Sequence, residues 1–376
     1  MATCHICNAS SLSVIDEVST LRMVTSDCRP WTAPASTAVC QACGNLVRVV
    51  DEGWLGEIDE IYGSYVMLYQ SSAADQTIFD ADEASQSRTV KLADLINRHC
   101  ELRDGMSVLD IGSGTGAMLF ALADCASLDL WANDLTSRFI DRLETVPGFC
   151  GLLEGTIDTI EQQFDLVTMV HVLEHIVDPV PFIDQLRKLL KPGGHIVIEV
   201  PDADTNPFDL TIFDHATHYT ARHLGELLKS RGWRTNVLTN EWIGKELSCI
   251  ARPEGSVEAG LSKQQPANGT EHARWLAALV ERVRSLDNAT EVIILGASIS
   301  GTWLASSIPD WCGAFVEDDP SKWGREVIGR PIVSPTDLPA DASLVIPLVP
   351  QVAARVAARF SDKVAAVITP PDLPRA

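Results

Sequence analysis

Two groups of residues in this chain have types and spacing suited to chemistry. The first is a pair of Cys-x-x-Cys turns, Cys4-His5-Ile6-Cys7 and Cys40-Gln41-Ala42-Cys43, in one short loop-rich stretch. Two thiolates on one tight turn cover one edge of a tetrahedron, and a second turn supplies the other edge. The spacing predicts a structural zinc ion on Cys4, Cys7, Cys40 and Cys43. The alternative is two unrelated thiol pairs. The surrounding segment is too small to build its own core, so a metal supplies the missing stability. Four sulfurs close the coordination sphere, so no catalysis is expected there. A redox Cys-x-x-Cys follows a strand in a thioredoxin-like fold, and that context is absent.

The second group is Val108-Leu109-Asp110-Ile111-Gly112-Ser113-Gly114-Thr115-Gly116, an apolar strand running into a glycine turn. Ala117 to Ala123 then reads as a helix. Glycines let backbone approach a ligand where a side chain would block it. Dinucleotide oxidoreductases use such a turn too. Here an acid, Asp110, sits inside the strand end and the turn is Gly-x-Gly-x-Gly. That arrangement resembles class I methyltransferases, which use S-adenosylmethionine, and not dehydrogenases.

The elements that follow agree in order. Leu130 to Asp134 reads as a second strand with Asp134 at its end, where an acid can accept from two ribose hydroxyls. Gly155-Thr156-Ile157-Asp158 reads as the adenine-side turn. Phe164 to Val170 reads as the fourth strand, and Leu190 to Ile198 as a helix end, a turn and the fifth. His171 and His175 have the i,i+4 spacing of a metal pair on a helix. The plainer reading is preferred: His171 lines the cofactor cleft and His175 packs at the helix start.

These motifs need a scaffold, and the rest of the chain supplies one. Ser87 to His99 reads as a helix. From Ser107 to about Arg252 strand-like and helix-like segments alternate, the pattern of a parallel α/β sheet. Pro253, Gly255, Gly260, Pro266 and Gly269 mark a linker. Glu271 to Leu286 reads as an amphipathic helix with Trp275, Leu276, Leu279, Val280 and Val283 on one side. A second α/β unit starts at Val292-Ile293-Ile294-Leu295.

Composition narrows the partners. Lys plus Arg is 29 against 51 Asp plus Glu, a net charge of −22. A nucleic-acid groove needs clustered positive charge, and no basic stripe is visible. No apolar stretch has membrane-spanning length, and the N-terminus shows no secretory leader. A cytoplasmic protein is expected, so the ten cysteines are not read as a disulfide framework.

Taken together, the chain resembles the sugar C-methyltransferases of deoxysugar pathways, a three-part family. The resemblance implies a zinc module at 1–55, a helical substrate-side segment at 56–100 and a methyltransferase domain at 101–252. A linker and helix at 253–286 and a C-terminal Rossmann-like domain at 287–376 complete it. The last includes Gly296-Ala297-Ser298, Phe315 to Gly324 and Gly329-Arg330-Pro331-Ile332. In the family this domain helps hold a nucleotide sugar and uses no dinucleotide; Gly296 and Gly301 form only part of a dinucleotide fingerprint.

The family's catalytic signature falls on Ile212-Phe213-Asp214-His215-Ala216-Thr217-His218-Tyr219. His215 matches the catalytic histidine, and Asp214 stands where the family has glutamate. Ile212 and His218 replace tyrosines. Tyr65 and Tyr69 resemble substrate-side tyrosines. The reaction implied is C-methylation beside the ketone of a nucleotide-linked keto-sugar, with a histidine as base. O- or N-methylation of a sugar or another small natural product is the alternative, since it needs a similar base. His215 is the expected base, with His218 and Tyr219 next in line.

Overall fold

The computed structural model describes residues 2–65, 77–79, 85–255, 261–286 and 291–373. Its centre is a seven-stranded sheet. The strands lie in the order Phe149–Glu154, Asp129–Asp134, Ser107–Ile111, Phe164–Val170, Leu190–Pro201, Glu246–Pro253 and Trp233–Thr239. Counted along the chain, that order is 3-2-1-4-5-7-6. The first five are parallel, and Glu246–Pro253 runs antiparallel to both its neighbours. Strands covered on both faces read as continuous apolar runs. Leu166, Val167 and Met169 are accordingly all buried. The order reverses between Ser107–Ile111 and Phe164–Val170, so the loops leaving these strands diverge and open a crevice between them. This is the class I architecture the glycine turn implied.

The helix expected at Ser87 to His99 spans Arg88–Cys100. Ser87 caps it, its side chain accepting from Val90 N, and Thr89, Leu92, Ala93 and Ile96 bury one face. The helix expected at Glu271 to Leu286 spans Gly269–Arg284. Among the described residues no helix is long and apolar enough to cross a membrane.

Two further sheets flank the centre. The N-terminal sheet has four strands, Leu12–Val14, Thr37–Cys40, Leu46–Arg48 and Thr217–His218. Its last strand comes from the far side of the methyltransferase-like unit in sequence. The C-terminal sheet has six, with Arg330–Val333, Cys312–Val316, Val292–Leu295, Ser343–Val345 and Ala366–Ile368 running parallel. Gly301 lies in the first turn of its helix Ile299–Ser307, where a Cβ would lie 1.9 Å from the Gly296 carbonyl oxygen, so only glycine fits. One apolar cluster joins the N-terminal sheet, the segment that follows the fifth central strand and the C-terminal sheet. It runs from Ile15 and Val24 through Phe208 and Phe213 to Trp275 and Trp303. The Phe208 ring sits edge-on to Trp275 and Trp303, at 5.5 and 5.7 Å between centroids.

Candidate active site and cysteine cluster

The two Cys-x-x-Cys turns fold alike. Asn8 N donates to the Cys4 carbonyl and Gly44 N to the Cys40 carbonyl. Asn8 and Gly44 both take the left-handed conformation, with φ of 59° and 85°. The four sulfurs gather, with Cys4 to Cys43 at 3.8 Å and Cys7 to Cys40 at 3.6 Å. Zinc–sulfur bonds of about 2.3 Å place tetrahedral sulfurs about 3.8 Å apart. The donor set and spacing fit zinc. The Asn45 side chain donates to Cys43 Sγ at 3.2 Å, one of the partners such a thiolate needs.

The glycine turn follows the Ser107–Ile111 strand, with φ of 66°, 49° and 80° at Gly112, Gly114 and Gly116. A Cβ on Gly112 would come within 2.5 Å of Val172, so the loop after the fourth strand closes on this turn. Gly114 N donates to Asp134 Oδ2 at 3.0 Å, tying the turn to the end of the second strand. Asn133 donates to the carbonyls of Leu153 and Gly155 and so holds the third strand's turn. Thr156 and Ile157 follow, Ile157 buried. Asp110 accepts from Thr168 Oγ1 at 2.7 Å. Burial pushes its carboxyl up to about 7, against that hydrogen bond and with help from the Asp134 charge. His171 stands at the switch point in a left-handed conformation, φ 55°. Its Nδ1 meets Glu174 Oε1 at 3.0 Å and its Nε2 contacts Arg88.

The run after the fifth strand is almost wholly buried, and one acid organises it. Asp209 Oδ1 accepts from His215 Nδ1 and Oδ2 from His218 Nδ1, each at 2.6 Å. Burial raises the Asp209 carboxyl, but the charges and hydrogen bonds of the two imidazoles overcome this and hold it well below the carboxylate range. An ionised carboxylate only accepts, so both histidines carry their proton on Nδ1 and keep the Nε2 lone pair. Burial works against charge on His215 too. The hydrogen bond and charge of Asp209, aided by Glu174 and Asp214, outweigh it and raise His215 above its ordinary value. His218 has less help, and burial keeps it low.

Asp214 does not touch the His215 ring. Its carboxylate accepts from Ser26 N at 2.8 Å and Ser26 Oγ at 2.5 Å. Its carbonyl accepts from His175 Nδ1 at 3.0 Å. His175 is held down to about 4 by burial and by the charge of His215. Its ring stands perpendicular to that of His215, 4.7 Å between centroids, and the Tyr62 hydroxyl meets its Nδ1 at 3.1 Å. Burial pushes Glu174 up to about 8 against the pull of His215.

A single cleft of about 2880 Å³ takes in the glycine turn, Asp134, Thr156, Ile157, His171, Tyr65 and His215. It extends to Gly296, Ser298 and Glu317 at the strand ends of the C-terminal sheet. His215 is the member of the Ile212 to Tyr219 run that brings a titratable side chain to this wall. Asp214, His218 and Tyr219 lie behind it, at 0%, 0% and 1% exposure. The Tyr65 hydroxyl lies 3.4 Å from Ser26 Oγ. Tyr69 lies outside the described residues.

Sequence reasoning missed Asp209, Glu174 and Ser26. The signal for Asp209 was present: an acid inside the apolar run Phe208 to Phe213, six residues before a histidine, is costly to bury unless it is paired.

Residues 85–237 match the model of a family described as a methyltransferase domain. Among curated proteins, the ubiquinone biosynthesis O-methyltransferase of Pectobacterium atrosepticum is 33% identical over 108 residues, covering 27% of this chain and 45% of that one. The same enzyme of Aliivibrio fischeri is 35% identical over 103 residues, 24% of this chain and 42% of that one. An uncharacterized 37.1 kDa protein in a transposon of Streptomyces fradiae is 26% identical over 203 residues, half of this chain and 54% of that one. The chain thus spans about half the length of the curated relatives it matches. Among solved structures, an S-adenosylmethionine-dependent methyltransferase from Clostridium acetobutylicum overlays with a TM-score of 0.40 at 14% identity. It covers 54% of this chain and 99% of its own. With the strand order and glycine turn above, the family match makes the central unit a class I S-adenosylmethionine-type methyltransferase domain.

Proposed function

We propose that this chain transfers a methyl group from S-adenosylmethionine to a small molecule whose proton His215 removes. One observation carries the reading: the glycine turn and His215 share a cleft, and Asp209 holds the ring at Nδ1, which leaves Nε2 its lone pair. The cofactor supplies an electrophilic methyl on a sulfonium. Gly112, Gly114 and Gly116 give it backbone to lie against, and Asp134 receives its ribose hydroxyls. Thr156 and Ile157 flank its adenine, with Asp110 and His171 bordering the turn. His215 holds the acceptor's proton at Nε2, and Asp209 stabilises the imidazolium that results. Tyr65 faces the acceptor. Cys4, Cys7, Cys40 and Cys43 hold one structural zinc ion, and the units run 1–55, 56–100, 101–252, 253–286 and 287–376.

The names of the curated relatives support oxygen as the methylated atom, a hydroxyl that His215 deprotonates. A second reading, C-methylation of a nucleotide-linked keto-sugar, is supported by the Ile212 to Tyr219 run and the four-cysteine module. The same base serves both. The test is a screen of hydroxylated aromatics and nucleotide keto-sugars with methyl-labelled S-adenosylmethionine, products read by mass spectrometry. Label in a hydroxyl ether supports the first reading and label on carbon the second. Binding of S-adenosylhomocysteine too weak to measure would defeat both.

A further inference from the structure

The sequence singles out His171 and His175 as a metal-like pair, but the structure separates them. His171 turns to Glu174 and Arg88. His175 instead faces His215, and Glu174 joins the two: each of the three offers a ligating atom within 4.8 Å of the others. We propose that Glu174, His175 and His215 form a binding site for a divalent transition-metal ion, separate from the cysteine cluster.

Three observations carry it. Glu174 is 1% exposed, and its Oε2 has no hydrogen-bond partner, a buried oxygen that a bound ion would satisfy. Every member is held from behind by its other polar atom: His215 Nδ1 by the Asp209 carboxylate, His175 Nδ1 by the Asp214 carbonyl, and Glu174 Oε1 by His171. Metal-binding histidines show this pattern, one ring nitrogen on a carboxylate or carbonyl and the other on the ion. The perpendicular His175 and His215 rings stand 4.7 Å apart. Metal–nitrogen bonds of about 2.0–2.1 Å put two cis imidazole centroids roughly 4.5–5 Å apart. Two imidazoles and one carboxylate suit zinc, iron, cobalt or nickel over magnesium or calcium. His175 and His215 line the cleft, so the remaining coordination positions open on it.

The site goes beyond the proposed reaction and bears on it in one respect. An ion there takes the Nε2 lone pair that His215 needs as a base, so ion and acceptor proton compete for one nitrogen.

Cobalt(II) titrated into the full chain, with zinc kept in the cysteine cluster, tests the proposal. One added cobalt should bind with the intense visible bands of a low-coordinate ion and without the sulfur-to-metal charge transfer of a thiolate site. Glu174→Gln and His175→Asn should each weaken that binding at least tenfold, with melting curves reporting whether each variant is folded. Asp209→Asn, acting from behind His215, should weaken it by about 10–100-fold. Absence of any bound cobalt at millimolar concentration would overturn the site. So would unchanged affinity in a folded Glu174→Gln or His175→Asn variant. Cobalt binding is read without methyl transfer, so its failure leaves the proposed reaction standing, and failure of that reaction leaves this measurement valid.

Discussion

The backbone of Thr217 pairs with that of Val47, which joins the segment carrying His215 to the sheet that carries the cysteines. His218 pairs with Leu46 in the same ladder. His5, inside the first Cys-x-x-Cys turn, contacts Thr217 Oγ1 through Nε2 at 2.7 Å. Arg48, fully buried, donates to the Ile212 carbonyl at 2.7 Å, and its own N–H donates to the Ala216 carbonyl. The cysteine module therefore acts as the template on which the His215 loop is laid.

If that template depends on zinc, disturbing the cysteines should reach the base. Cys40→Ser or exhaustive chelation should remove one zinc per chain, lower the melting temperature and reduce methyl transfer by about 10²-fold. A loss of that size is what a misplacement of roughly 1 Å costs at a reacting centre. Metal analysis beside thermal melting and a labelled-methyl assay checks it. A zinc-free chain with native melting and full activity would refute the dependence.

The glycine turn, the alternation of strands and helices in the central unit and the paired cysteines were legible in sequence, because each is set by neighbours along the chain. Apolar period, glycine φ and Cys-x-x-Cys spacing are local properties. The environment of His215 was not legible. Its partner Asp209 lies on a separate turn, Pro207–Thr211. Ser26, which holds Asp214, is 188 residues away. The pairing of Thr217 with Val47 also joins distant segments. Contacts of that kind are made by tertiary packing, to which residue spacing along the chain is blind. Adjacency in sequence was a poor guide as well: Asp214 neighbours His215 yet turns to Ser26, while Asp209 makes the contact.

Cofactor affinity should depend on the turn. Gly114→Val forces a β-branched side chain into a φ of 49° where the backbone meets Asp134, and S-adenosylhomocysteine binding should be lost. Asp134→Ala removes the acceptor of Gly114 N and the proposed acceptor of the ribose, at an expected cost of about 1–3 kcal/mol. Calorimetry reads both. Wild-type affinity in the two variants would place the cofactor elsewhere.

Asp209→Asn should change the pH dependence of both activity and stability. A base works unprotonated, so the rate falls as pH drops through the His215 pKa, which lies above the ordinary value of about 6.5. Without the anion that raises it, this acidic limb should move to lower pH. For folding, a raised histidine pKa adds stability that is complete below about pH 6.5 and is lost as pH climbs through the folded value. Asp209 is depressed, so its share is complete above about pH 3.9 and is lost as pH falls through its folded value. The variant should therefore be most destabilised between about pH 4 and 6.5, and less so at pH 9. Urea unfolding across pH tests the sign. A deficit that grows steadily towards high pH would show that charge on His215 is not what Asp209 stabilises.

His215→Ala should abolish methyl transfer while sparing the cofactor. The ring is 3% exposed, reaches the cleft wall and is fixed by Asp209, the arrangement of a positioned base. Loss of such a group typically costs 10²–10⁴-fold in rate. Cofactor affinity should stay at the wild-type level, because no hydrogen bond of His215 reaches the glycine turn among the described residues. Asp209 is left facing one imidazole instead of two, so a stability loss of about 1–3 kcal/mol is expected and must be separated from the rate effect by assaying below the variant's melting range. Heavy water then distinguishes the acceptors. With a keto-sugar acceptor and S-adenosylhomocysteine, the wild type should exchange the proton alpha to the carbonyl and His215→Ala should not. A hydroxyl acceptor gives no such exchange, and there the variant should instead lose the acidic limb of the rate profile. Exchange that persists in the variant would move the base off His215, and His218, buried behind it with an unpartnered Nε2, would be the next residue to remove.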